Sequence, residues 1–160
     1  MELVILLSAI SLLLTGAIAG FFYAFSVCVI RGLDRIEATS AVSAMKSINA
    51  VVLNPVFFIT FFLTPIVHLA SAYFARQSTP NSSLLFVMAA VIYTLGALLP
   101  TILVNVPMNE ELAKIEMVEN AEKMQSIWSQ YSRRWTMWNT VRTVSSLLSL
   151  LTVGAAIIYK

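Results

Sequence analysis

Charged residues are scarce in this chain of 160 residues, and their scarcity decides which solvent it can face. Ten lysines and arginines and eight acidic residues make up 11% of the sequence, whereas soluble domains carry about 25%. The net charge of +2 comes from nearly equal numbers of both signs, so we expect no nucleic-acid partner, which would need a clustered basic surface. With 59% hydrophobic residues and a mean hydropathy of +0.84, the sequence predicts a protein surrounded by membrane lipid.

The residues of metal and nucleophile chemistry are equally few. The single cysteine, Cys28, cannot form an internal disulfide, and the single histidine, His68, has no second ligand near it in sequence. A general base or metal ligand at His68 is the functional alternative to a core histidine. The sequence has no glycine-rich phosphate loop and no Ser/His/Asp set. We therefore expect no metal site, and the sequence leaves open whether a cofactor is bound.

Four long apolar runs occupy most of the chain, at residues 3–30, 51–73, 84–104 and 135–159. A transmembrane helix needs about 20 apolar residues, so each run is long enough to cross the bilayer. The chain is therefore predicted to be all-α, a single integral membrane domain over residues 1–160 built as a four-helix transmembrane bundle. Asn54 and Pro55 suit the N-cap and first position of the second helix, and Pro107 should end the third.

The first run has two further features. Ala17-Ile18-Ala19 resembles the cleavage site of a secretory signal, but Met1-Glu2 provides no basic start and the apolar run continues past those alanines. We therefore expect a membrane span rather than a cleaved leader. The same stretch, Gly16–Gly20, forms a small-residue face that permits close helix packing, either within the bundle or in a homo-oligomer.

Two longer polar connections follow the first and third runs, and short amphipathic helices are predicted in both. In the first, Thr39 or Ser40 should cap a helix that extends to Asn49. In the second, apolar residues recur at helical spacing: Leu112, Ile115, Val118, Met124, Ile127, Trp128 and Tyr131. The connections hold seven of the ten lysines and arginines, against two on the other side. The positive-inside rule then predicts a multi-pass protein of the cell membrane with cytoplasmic connections and both termini outside.

Arg142 lies within the fourth run, seven residues after Trp135. A charge near the middle of the bilayer costs about 3 kcal/mol on insertion scales, so this side chain must face the bundle, a watery pocket or the headgroups. Polar residues recur with it every three or four positions and form one stripe: Trp135, Asn139, Arg142, Ser146 and Ser149. The stripe favours a ligand pocket, and a purely structural anchor is the alternative.

Asparagines gather near the ends of the runs on one side: Asn49, Asn54, Asn105, Asn109 and Asn139. An amide both donates and accepts hydrogen bonds, so these residues can orient a polar ligand, although Asn54 and Asn109 also suit N-caps. Glu110 is a candidate general base, with an exposed glutamate at a helix start as the alternative. Tyr23 and Ser26 can reach the mouth of the pocket from the first helix.

Five segments together resemble a known family. They are Gly20-Phe-Phe-Tyr-Ala-Phe-Ser-Val27, Ala44-Met-Lys-Ser-Ile-Asn49, Asn54-Pro-Val-Phe57, Asn105-Val-Pro-Met-Asn-Glu-Glu-Leu-Ala113 and Trp128-Ser-Gln-Tyr-Ser-Arg-Arg-Trp-Thr-Met-Trp-Asn-Thr-Val-Arg-Thr143. In their order and spacing they are similar to the anthrone oxygenase family of small four-helix membrane proteins. The resemblance runs through nearly the whole chain.

What the resemblance implies is an oxidoreductase of the monooxygenase type, which oxidises an anthrone-like polycyclic phenol to a quinone with molecular oxygen as cosubstrate. A protein assists such a reaction by holding the substrate anion and shielding it from water. The hypothetical roles are oxyanion binding by Arg142, hydrogen bonding by Asn139, Asn49 and Asn105, ring stacking by Trp135 or Trp138, and proton transfer by Asn109 and Glu110.

A non-enzymatic membrane protein is the alternative. Its partners would be membrane lipid and a hydrophobic small molecule, since the bundle could hold a quinone, a lipid or a haem without turnover, or act as a structural or transport subunit. The lack of an acid/base or metal set favours binding, whereas the resemblance at residues 105–109 and 135–142 favours an enzyme. Transport is disfavoured because the runs form no inverted repeat.

Overall fold

The computed structural model describes residues 2–116 and 120–159, and within them the chain forms five helices and no strand. These are α1 (Glu2–Leu33), α2 (Ala38–Val52), α3 (Pro55–Ala75), α4 (Pro80–Lys114) and α5 (Ala121–Ile158). Four of them, all except α2, are long and apolar enough to cross a membrane. The predicted all-α four-helix membrane bundle is therefore confirmed. Val118 and Lys160, on which parts of the connection and charge predictions rest, lie outside the described residues.

The four long helices form a ring in which each packs against two neighbours. α1 packs against α3 and α5, and α4 packs against the same two helices. Leu13, Ile66, Leu95 and Leu151, one from each long helix, remain exposed on the outside of the ring. In water these side chains would be unfavourably solvated, but in hydrocarbon they are in their preferred surroundings.

Close packing of α4 against α5 depends on Gly96. A Cβ placed on this residue would overlap the side chain of Ser145. The same test at Gly20 finds open space, and at Gly16 only an ordinary contact with Leu150. The positions of Gly16 and Gly20 therefore have room for a side chain within the bundle, and the use of the Gly16–Gly20 face in a homo-oligomer stays a prediction.

The helix starts in the connections follow core packing as well as capping chemistry. Asn54 caps α3 as predicted, because its Oδ1 accepts a hydrogen bond from the Phe57 amide at 3.0 Å. The predicted cap of α2 at Thr39 or Ser40 is wrong, since the helix begins at Ala38 and Glu37 occupies the N-cap without a side-chain bond. Burial of Ala38 in the core extends the first turn backwards past both hydroxyl residues.

The predicted end of the third span at Pro107 is also wrong. α4 continues to Lys114, through two π-helical turns at Thr94–Leu98 and Thr101–Asn105. Pro107 stands among the first residues of the α-helical segment that follows the second π turn. The backbone hydrogen bonds change there from the π to the α pattern, which shifts the pairing of N–H and C=O groups. The helix therefore tolerates a residue without an N–H at this position.

α5 is longer than a bilayer is thick. Its 38 residues span about 57 Å, against about 30 Å of hydrocarbon. The N-terminal part of α5, the C-terminal part of α4 (residues 106–114) and α2 therefore form one end of the molecule, which we call the connection end. The amphipathic segments predicted in the second connection appear there as extensions of α4 and α5, and Met124, Trp128 and Tyr131 are buried on one face.

Asp34 fastens this end together. Its Oδ1 accepts hydrogen bonds from the Trp128 indole N–H at 2.9 Å and from the Ser132 hydroxyl at 2.7 Å. These bonds join the turn between α1 and α2 to α5, and they thereby keep α2 at the connection end.

Candidate functional site

A cavity of about 340 Å³ lies where the connection end meets the transmembrane bundle, and all five helices contribute to its wall. Its size is within the range of about 300–1,000 Å³ that is typical of small-molecule sites. Eight of the lining residues are aromatic: Phe21, Phe22, Phe25, Phe57, Phe58, Phe61, Phe62 and Trp135. The polar lining residues are Lys46, Asn49, Thr101, Asn105, Asn109, Glu110 and Arg142. The shape and lining suit a flat apolar molecule that carries a few polar atoms.

Arg142 lines the cavity from α5 and is only 4% exposed. Its Nη1 donates to Thr101 Oγ1 at 3.2 Å and its Nη2 donates to Asn139 Oδ1 at 2.9 Å. The guanidinium lies over the rings of Phe22 and Trp135, at 4.4 and 5.0 Å from their centroids. These partners are neutral, and Nε has no partner among the described residues. The positive charge is therefore solvated by dipoles and rings without a counter-ion among its partners.

Asn139 is fully buried and all of its polar atoms are engaged. Its Nδ2 donates to the Phe22 carbonyl at 2.9 Å and to Ser26 Oγ at 2.8 Å, while its Oδ1 accepts from Arg142. Neither Asn139 nor Ser26 lines the cavity. The arrangement makes Asn139 a positioning residue that holds the guanidinium, with Ser26 and Thr143 in hydrogen-bond contact behind it at 3.0 Å.

Asn109 presents a fixed donor to the cavity. Its Oδ1 accepts hydrogen bonds from the Tyr131 hydroxyl at 2.8 Å and from Trp135 Nε1 at 2.9 Å. An indole N–H is only a donor, so the amide atom facing it must be the oxygen. Across residues 2–116 and 120–159, the amide NH₂ of Asn109 makes no hydrogen bond. The N-cap interpretation of Asn109 is wrong, because the residue lies inside a continuous helix.

Asn105 and Asn49 add further unpaired polar atoms to the wall. Asn105 is almost fully buried, its Nδ2 donates to the Trp135 carbonyl at 3.4 Å, and its Oδ1 has no partner in the part of the chain that the structure describes. The Nδ2 of Asn49 is buried and also without a partner among the described residues. Buried polar groups are rarely left unpaired in native proteins, so these atoms are available to a bound water or to a polar atom of a ligand.

Lys46 and Glu110 stand at the outer edge of the cavity. Lys46 Nζ donates to the backbone carbonyl of Ile115, which joins α2 to the segment after α4. Glu110 is exposed. Together with Arg142, these residues give the cavity lining one more positive than negative formal charge, which favours an anionic ligand.

Sequence reasoning missed Lys46 and Thr101 as lining residues. Lys46 lies three positions before Asn49, and Thr101 four positions before Asn105, so helical periodicity from the predicted asparagines could have found both. The ring of Phe22 lies under the Arg142 guanidinium, 4.4 Å from its centre to the guanidinium carbon. Its contact with Arg142 depends on how α1 meets α5 and has no sequence signal of its own.

The other predicted site residues lie elsewhere. Tyr23 is half exposed on the outside of α1, Trp138 is partly buried outside the lining, and Asn54 is occupied in capping α3. His68 is buried in a separate polar cluster, where its Nε2 lies 3.1 Å from Thr15 Oγ1. Within residues 2–116 and 120–159, no group of three or more histidine, cysteine or acidic side chains could hold a metal ion.

Comparison with known proteins gives one match. A family model described as anthrone oxygenase matches residues 51–152, which is more than half of the chain and includes Asn105, Asn109, Trp135 and Arg142. No curated protein and no solved structure matches the chain significantly.

Proposed function

The chain belongs to the anthrone oxygenase family, and on that premise we propose that it oxidises an anthrone-like or other hydrophobic polycyclic phenol with molecular oxygen inside the membrane. The observation that carries this proposal is the buried guanidinium of Arg142, which lines an aromatic cavity and, within the described residues, has only neutral hydrogen-bond partners and none at Nε. Such a group attracts an oxyanion far more strongly than it would in water.

The chemistry requires an anion before it requires oxygen. An anthrone has an acidic methylene beside an aromatic ketone, and loss of a proton gives an electron-rich phenolate. That anion transfers electrons to oxygen, and in the overall reaction the methylene carbon loses two hydrogens and gains one oxygen as a carbonyl. The second oxygen atom leaves as water. A site that stabilises the phenolate therefore promotes the whole series of reaction steps.

The wall of the cavity supports this division of roles. Arg142 would bind the oxyanion, Asn139 would hold the guanidinium in place, and the fixed NH₂ of Asn109 would donate to a second oxygen of the substrate. Trp135 and the surrounding phenylalanines would pack against the flat rings. Glu110, exposed at the outer edge, would receive the proton and pass it to water.

A direct test uses purified protein in lipid vesicles with anthrone as the probe. Oxygen consumption and anthraquinone absorbance are followed with wild type, Arg142→Gln, Arg142→Lys and Arg133→Gln. Arg133 is an exposed arginine of the same helix and provides the matched control. We expect Arg142→Gln to lower the rate roughly 10²–10³-fold, as removal of a single oxyanion donor does in other enzymes, with Arg142→Lys intermediate and Arg133→Gln unchanged.

Folding of each variant is checked by circular dichroism and thermal melting, since Arg142 also holds Thr101 and Asn139 in place. Wild-type protein that oxidises anthrone no faster than empty vesicles would overturn the proposal. So would a folded Arg142→Gln variant with the wild-type rate.

Binding of a quinone without turnover is the second candidate. A quinone carries two carbonyl acceptors, and two donor groups line the cavity, the guanidinium of Arg142 and the amide of Asn109. In the vesicle assay this function would give saturable, Arg142-dependent binding of anthraquinone with no acceleration of anthrone oxidation.

We also infer from the excess of lysine and arginine that the connection end faces the cytoplasm.

A further inference from the structure

The cavity has an opening along its side, between α3 and the C-terminal half of α4. Residues on both rims line the cavity and are also exposed on the outside of the protein. On α3 these are Phe58 and Phe62, which are 40% and 43% exposed. On α4 they are Ile102 and Val106, which are 44% and 36% exposed and stand on successive turns. We call this opening the lateral slot.

The lateral slot lies at the level of the hydrocarbon. α3 has 21 residues and spans about 31 Å, close to the thickness of the hydrocarbon layer. Counted from Pro55, the first residue of that helix, Phe62 is about 10 Å along the axis. The rims of the slot are therefore apolar where they contact acyl chains, and the next lining residues along α4 beyond them, Asn109 and Glu110, are polar.

The slot exists because α3 and α4 separate towards the connection end. α3 packs along α4 from Pro80 to Leu98 but not extensively against Thr101–Lys114. The π turns at Thr94–Leu98 and Thr101–Asn105, with Pro100 between them, lie where the two helices part. π turns widen a helix and re-aim its side chains, and they are frequent at functional sites.

The aqueous end of the cavity is less suited to an apolar molecule. Lys46, Asn109 and Glu110 stand there, and the bond from Lys46 to the Ile115 carbonyl ties α2 across to the segment after α4. An apolar polycyclic molecule is concentrated in the bilayer because removing its surface from water is favourable by about 25 cal/mol per Å². The route from lipid avoids returning that surface to water.

We propose that the cavity is loaded sideways from the hydrocarbon layer through the lateral slot, with Phe58, Phe62, Ile102 and Val106 as its gate. The occupant is a flat hydrophobic molecule dissolved among the acyl chains, and a lipid acyl chain fills the slot when none is present. The identity of that molecule as a phenol rests on the proposed function; the route does not.

The test places a fluorescent reporter at the inner end of the slot. Trp135 lines the cavity and is almost completely buried, so in a variant carrying Trp128→Phe and Trp138→Phe it becomes the sole tryptophan. This protein is reconstituted in phosphatidylcholine vesicles whose acyl chains are either plain or brominated at mid-chain. Bromine quenches tryptophan at close range. We expect Trp135 to lose most of its emission in brominated vesicles and little to aqueous iodide.

Two substitutions on the rim and a matched control test whether acyl chains reach the cavity through the lateral slot. Ile102→Phe and Val106→Phe add bulk at exposed positions of the rim and should each restore much of the emission in brominated vesicles. Leu103→Phe makes a comparable change at the adjacent residue, which is 67% exposed but does not line the cavity, and should restore none. Equal quenching in all three variants, or iodide quenching stronger than bromolipid quenching, would overturn the slot.

This experiment involves no turnover. Failure of the slot would leave anthrone oxidation untouched, and a protein inactive towards anthrone could still show rim-dependent quenching.

Discussion

Trp135 and Asn109 form a pair in which the indole N–H donates to the amide oxygen over 2.9 Å, and this bond determines what the cavity can recognise. With its oxygen held by the indole and by Tyr131, the amide of Asn109 can only donate to a ligand. A phenolate, a carbonyl or a hydroxyl oxygen is therefore accepted at that point, and a ligand that offers only a donor is not.

The first prediction concerns this bond. Trp135→Phe keeps an aromatic ring beside Arg142 but removes the N–H that orients Asn109. Because one hydrogen bond contributes about 0.5–1.5 kcal/mol, kcat/KM for anthrone should fall by up to about tenfold. Trp138→Phe, outside the cavity lining, should leave kcat/KM unchanged. If the two variants change kcat/KM by the same factor, activity does not depend on the orientation of Asn109.

The second prediction concerns the hydroxyl that supports the guanidinium. Thr101→Val removes the acceptor of Arg142 Nη1 with almost no change of volume. A buried donor left without a partner costs about 1–3 kcal/mol, so we expect a lower melting temperature and weaker anthraquinone binding. Thr140→Val is the control, because that exposed hydroxyl bonds only to the Thr136 carbonyl of its own helix. A Thr101→Val protein that melts and binds like the control would show that the hydroxyl does not support Arg142.

The third prediction concerns the packing of α4 against α5. Gly96→Ala forces a methyl group into the Ser145 side chain and should destabilise the bundle by about 1–3 kcal/mol. Ser145→Gly in the same protein should recover most of the loss. Gly20→Ala, where a Cβ meets open space, should be neutral or slightly stabilising because alanine favours helix. Thermal melting in detergent measures all of these, and a Gly96→Ala protein as stable as Gly20→Ala would contradict the packing.

The fourth prediction concerns the connection end. Asp34→Ala removes the acceptor of both Trp128 and Ser132, leaving two donors unpaired. We expect faster proteolysis at this end and a loss of about 1–3 kcal/mol of stability. Glu37→Ala, at an exposed position without a side-chain cap bond, should behave as wild type. If both variants are cleaved at the wild-type rate, Asp34 does not fasten the end.

The amino-acid sequence predicted the four spans because about 20 apolar residues have few alternatives to a membrane helix. It also predicted that Arg142, Asn105 and Asn109 share one region, since a charge in hydrocarbon must turn inwards. The continuation of α4 past Pro107 was not predictable, because it depends on π turns set by packing against neighbouring helices. The rule that a helix ends before a proline considers only adjacent residues and does not include that packing.

The orientation of individual side chains within the polar stripe of α5 could not be predicted from the sequence either. Asn139 and Arg142 lie on one face of α5, yet Asn139 faces α1 and Arg142 lines the cavity. Helical spacing places both on the same face, and only the position of α1 decides which of them meets a ligand.

The most direct measurement for the account as a whole is a structure of the protein in lipid nanodiscs with anthraquinone bound. We expect ligand density in the aromatic cavity, with one carbonyl oxygen within hydrogen-bond distance of the Arg142 guanidinium and the NH₂ of Asn109 directed at the ligand. Density in any other place, or an empty cavity with the Arg142 guanidinium turned away towards the headgroups, would contradict it.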